Sequence, residues 1–137
     1  MTRIDFYQLN PERTSYDHVV CQLCQKAYEN RQLTLLLTQN QQQSEHLDNR
    51  LWTYSDDSFL PHDREQTGDL VTPILIHDNP DPGGERQLLI NLSASVPSSF
   101  AQFERVIDLV TEENKTQARA HYSYYKERGY PLKHSNL

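Results

Sequence analysis

The sequence predicts an α/β fold, with a mostly parallel central sheet flanked by helices in three layers. Three observations predict it. Short apolar runs alternate with helical patterns along the chain. One of those runs, LTLLL at residues 33–37, is apolar at nearly every position, as a strand covered on both faces must be. The chain of 137 residues can bury one core but not two, which predicts a single domain over residues 1–137.

Residues 4–9 (IDFYQL) form the first expected strand, ended by Asn10 and Pro11 because proline disfavours helix in the residue before it. A helix follows, capped by Thr14 or Ser15, with apolar positions at spacings of three and four through Ala27. Together with residues 33–37 this makes a strand, helix, strand unit with a right-handed crossover. Residues 40–52 carry Leu47 and Leu51 four apart, a surface helix with a narrow apolar stripe; the glutamines at its start are solvated.

Residues 55–72 are polar and irregular, a long loop with a short strand near Phe59. Ile74–His77 and residues 88–92 are two further strands, separated by a turn rich in Pro and Gly. A helical turn at 98–102 leads to a strand at 106–110. The last helix is expected over 112–128, acidic at its start and basic at its end, with Gly129 and Pro131 stopping it.

A net charge of −6 argues against a direct grip on DNA, because phosphate binding needs Lys and Arg to displace condensed counterions. Contact with DNA is therefore expected only through other proteins. No apolar run reaches the ~20 residues of a membrane helix, and the start MTRIDFYQLNPER lacks a signal-peptide core. The expectation is a cytoplasmic protein that engages no membrane.

Cys21 and Cys24 have CxxC spacing, but they fall inside a helical apolar pattern rather than at a strand-to-helix turn. With His18 they supply only three metal ligands, so they are expected to be packing residues. The chain has no GxxxxGK[ST], GxGxxG or GxSxG motif. His62 with Asp63 and His77 with Asp78 are the candidates for an enzyme, either a metal-dependent hydrolase or a nucleotide-binding enzyme, provided that all four converge.

Three features suggest binding instead. Trp52 and Phe59 stand beside a polar stretch and offer the large contact area that interfaces use. Lys115, Arg119, Tyr122 and Lys126, spaced four, three and four apart, share one face of the last helix. Such a cationic stripe with an aromatic wall suits an acidic peptide, since guanidinium pairs bidentately with carboxylate. Of the tyrosines around it, Tyr125 follows Ala118 and His121 at helical spacing and is expected to pack on the sheet.

The opening IDFYQL, followed by HLDNRLW, SFLPH, LLINLS, FERVIDLV and ARAHYSYYKERGYPL in that order, resembles the DNA polymerase III chi subunit family over nearly the whole chain. The resemblance implies a nucleotide-binding-like sheet without a phosphate loop, no catalytic residues, no metal and no cofactor. It implies a bridging role in DNA replication, one surface holding the psi subunit of the clamp loader and another the acidic C-terminal tail of single-stranded DNA-binding protein. Carried over residue by residue, the tail site is Val110, Lys115, Arg119 and Tyr122, which the helical stripe overlaps. Trp52 and Phe59 match aromatic positions used toward psi or an accessory helicase. Ser123 stands where some relatives have a second basic residue, and the stretch before Lys115 is shorter than in relatives, which shifts the expected start of the helix.

Overall fold

The structure is a computed structural model that describes residues 1–54, 60–65, 72–80, 82 and 85–137. Its elements run β1 (Arg3–Gln8), α1 (Tyr16–Glu29), β2 (Thr34–Leu37), α2 (Gln41–Thr53), β3 (His62–Asp63), β4 (Ile74–His77), β5 (Leu88–Asn91), a 3-10 turn (Phe100–Gln102), β6 (Arg105–Val110), α3 (Lys115–Glu127) and β7 (Leu132–Asn136). Among the described residues seven strands form one sheet in the order β3-β4-β2-β5-β6-β1-β7, and every pairing is parallel.

Travel through the sheet decides which face each helix covers. The steps β1 to β2 and β2 to β3 run one way along the strand order, and β6 to β7 runs the other way. With a fixed crossover hand, opposite directions require opposite faces. Accordingly Val20, Cys24, Leu47 and Leu51 of α1 and α2 pack with Leu36, Ile76, Ile90 and Leu109. Ala118 and Tyr125 of α3 pack on the other side with Ile4, Phe6, Leu35 and Leu89. Neighbouring residues such as Leu35 and Leu36 fall in opposite cores because side chains alternate along a strand, which confirms that the apolar run is buried on both faces.

Local chemistry sets the boundaries. Ser15, rather than Thr14, caps α1, its Oγ accepting from the His18 N–H at 3.2 Å; the Asn40 side chain does the same for Gln43 at the start of α2, at 2.8 Å. Gly129 has φ +79° and its N–H reaches the Lys126 carbonyl at 3.0 Å, the expected stop of α3.

Three expectations needed correction. The last helix begins at Lys115 rather than at 112. Before it, the Thr111 N–H donates to Asn114 Oδ1 at 2.7 Å, and the Asn114 side-chain amide donates to the Leu109 carbonyl at 2.8 Å. These side-chain bonds hold the chain in a turn that competes with helix. A two-residue strand, β3, lies within the expected loop at His62–Asp63, while the strand expected near Phe59 lies outside the described residues. Finally, β7 was not anticipated, because its sequence LKHSN has little apolar content; it is an edge strand, held by its pairing with β1.

Candidate functional site: a hollow between α3 and the β1 and β7 strands

The inward face of α3 fixes the direction of the outward one. Ala118, His121 and Tyr125 are buried, and His121 binds Asp108 of β6 through Nδ1 at 2.9 Å and the Ala94 carbonyl through Nε2 at 3.0 Å. Burial pulls the His121 imidazole down, but its bond to Asp108, that residue's charge and the Ala94 carbonyl outweigh it, so the net shift is upward. Asp108 is also raised, because burial outweighs the pull of His121. Both partners therefore favour retaining a proton between them.

With α3 oriented in this way, Lys115, Arg119 and Tyr122 face a hollow of about 220 Å³, which Val110 of β6 also lines. All four residues proposed from the sequence meet there. Phe6, Gln8 and His134 complete it from the sheet. Sequence reading missed these three: His134 belongs to the unanticipated β7, and Phe6 and Gln8 reach the hollow only because β1 lies between β6 and β7. The alternation of residues 4, 6 and 8 was the available signal, since it places them on one face of β1.

The hollow has an apolar floor and a cationic rim. Phe6 and Val110 are almost fully buried, while Tyr122 remains 39% exposed with its ring centroid 5.4 Å from that of Phe6. Lys115 Nζ lies 2.9 Å from Glu112 Oε2, which offsets part of its charge. Arg119 is exposed and has no ion-pair partner among the described residues. Beyond the hollow, the Arg128 guanidinium stacks 3.5 Å from the Tyr124 ring centroid.

Trp52 lies elsewhere, on α2, 53% exposed and with its ring 4.5 Å from the imidazole of His62. Phe59 lies outside the described residues. The four residues weighed for catalysis do not converge as one centre. The His62 ring is buried, its Nδ1 2.6 Å from the Leu60 carbonyl and its Nε2 2.9 Å from Asp48 Oδ1. Asp63, His77 and Asp78 line a separate hollow, where Asp63 accepts from Thr72 and His77 accepts from the Asn79 N–H. Among the described residues no group of three or more His, Cys, Asp or Glu side chains is placed to hold a metal. Cys21 and Cys24 are free and buried, on the inner face of α1.

Comparison with known proteins shows the family to which the chain is related. The family model described as "DNA polymerase III chi subunit, HolC" matches residues 1–133. The DNA polymerase III subunit chi of Pseudomonas aeruginosa is 34% identical over 140 aligned positions, covering 100% of this chain and 98% of that protein. Those of Haemophilus influenzae and Escherichia coli are 28% and 26% identical; they cover 96% of this chain each, and 95% and 96% of their own lengths. Among solved structures, T4 UvsW superposes with a TM-score of 0.61 at 8% identity, over 98% of this chain and 42% of that one, a likeness of fold alone. No described helix is long and apolar enough to cross a membrane. By the match over nearly its full length, the chain belongs to the DNA polymerase III chi subunit family.

Proposed function

We propose that this protein is a non-catalytic connector in DNA replication, a single domain joining the psi subunit of the clamp loader to the acidic C-terminal tail of single-stranded DNA-binding protein. The observation that supports it most is Arg119, without an ion-pair partner among the described residues, on the rim of an apolar hollow formed by Val110, Tyr122 and Phe6. Arg119 pairs with the terminal carboxylate of the tail, the hollow takes its last aromatic ring, and Lys115 attracts acids upstream. DNA is reached only through the bound protein, and the work is cytoplasmic.

The magnitudes favour a releasable contact. A charged hydrogen bond contributes about 1.5 to 3 kcal/mol, a buried ring about 2 to 3 kcal/mol, and an exposed ion pair about 0 to 1 kcal/mol. Ordering a flexible tail offsets much of that, so micromolar affinity follows. Such an affinity suits a protein that must let go of one tail and catch another. Trp52, on a second surface, serves psi or an accessory helicase together with Phe59, which leaves the two partners free to bind at once.

Titration of an acidic peptide ending in an aromatic residue tests this reading. Wild-type protein should bind it with micromolar affinity at low salt, and Arg119→Ala should weaken it at least about tenfold. Equal affinity of the two proteins would remove Arg119 from the site.

A further inference from the structure

The wall of the hollow opposite α3 holds a hydrogen-bonding group whose direction is already set. Gln8 is half-buried at the end of β1. Its side-chain Nε2 donates to the carbonyls of Leu9 and Val110, each at 3.3 Å. Those two acceptors can be met only by the NH2 end of the amide, so they decide which end is which. The other end, Oε1, has no hydrogen-bond partner among the described residues and is not among the buried side-chain atoms that lack one. It is an accessible acceptor carried by a residue that lines the hollow.

An acceptor there has chemical meaning. Every other polar side chain proposed to grip the ligand is a cation, suited to carboxylates. A carboxylate needs donors, and Gln8 Oε1 can offer it none. A peptide also carries backbone N–H groups, and one buried without a partner costs free energy. Each side of the hollow thus matches one half of a peptide end, cations on the helix for the carboxylate and a neutral oxygen on the sheet for an amide.

The geometry points to Gln8 as a recognition residue whose Oε1 accepts a backbone N–H from the last residues of the docked peptide, so that the hollow reads a peptide end rather than any aromatic acid. This inference rests on the peptide-tail reading above. It explains why the site would use an uncharged residue within a cationic hollow: a carboxylate at this position would accept the same bond but repel the acidic tail.

The test is a cycle with changes on both partners. A tail peptide is made with each of its last three backbone amides N-methylated in turn, and each version is titrated against wild-type protein and Gln8→Met. Methylation at one position should weaken wild-type binding about three- to tenfold, the range of one neutral hydrogen bond. Gln8→Met should weaken the unmodified peptide by a similar factor, and that methylation should then add little further loss. Additive losses at all three positions would overturn the role of Gln8 and leave the tail reading intact, provided that Arg119→Ala still abolishes strong binding. No saturable binding of the unmodified peptide to wild-type protein would overturn both. Because the methyl group leaves the protein untouched, the cycle stays decisive even if Gln8→Met relaxes the bonds to Leu9 and Val110, which a thermal melt would reveal.

Discussion

His121 of α3 and Asp108 of β6 stand 2.9 Å apart, Nδ1 to Oδ2, with both side chains almost wholly buried. This pair fixes the rotation of α3 about its axis, because His121 is the polar member of an inner face otherwise made by Ala118 and Tyr125. Removing one partner leaves the other buried without its bond, which costs about 3 to 5 kcal/mol. His121→Ala and Asp108→Ala should each lower the thermal midpoint by many degrees. Because α3 carries Arg119 and Tyr122, tail affinity should also fall in whichever variant still folds.

The same pair predicts how stability depends on pH. His121 is raised from its ordinary value and so is Asp108, so the folded pair holds a proton that the unfolded chain would release. The stabilisation from His121 is complete below about pH 6.5, its unfolded value, and is lost as pH climbs through the raised folded value; the raised Asp108 acts in the same sense. The double variant His121→Gln with Asp108→Asn removes both titrations. The stability difference between wild type and that variant should shrink toward alkaline pH, as followed by denaturant unfolding from pH 6 to 9.

Lys115 should matter less to tail binding than Arg119. Its ammonium lies beside Glu112, both side chains are substantially exposed, and solvent screens such pairs to about 0 to 1 kcal/mol. Lys115→Ala should therefore weaken the peptide only a few-fold. Glu112→Gln should strengthen it slightly by freeing the lysine, and raised salt should reduce both effects. Calorimetric titration at two salt concentrations would measure this.

Trp52 presents half of its surface to solvent, so Trp52→Ala should change stability by under about 1 kcal/mol. Psi co-purification should fall while the affinity for the tail peptide is kept. Loss of tail binding with psi retained would reverse the assignment of the two surfaces.

The thiols should be inert in the folded protein. Burial pushes Cys21 up to about 11 and raises Cys24 as well, so little thiolate exists near neutral pH. Alkylation at pH 7.5 should run at least about a hundredfold slower than in denaturant. Rapid native labelling of either residue would contradict their packing role.

By itself the sequence determined the alternation of strands and helices, because periodicity and caps act over a few neighbours. Residues 33–37 announced their burial on both faces, Gly129 and Pro131 announced the end of α3, and the spacing of Lys115, Arg119 and Tyr122 announced one face. Tertiary structure decided the rest. The strand β7 is polar and exists through its pairing with β1, so no local pattern marks it. The sheet wall of the hollow depends on β1 pairing with both β6 and β7, which sets Gln8 beside Val110 and Phe6 beside His134 although each pair is far apart along the chain. The start of α3 differs for a local reason, Asn114 reaching back to Thr111 and Leu109 to hold a turn where the acidic residues had pointed to helix. Local pattern specifies which way a helix faces, whereas what it faces depends on which strands come to lie side by side, and chain distance carries no record of that.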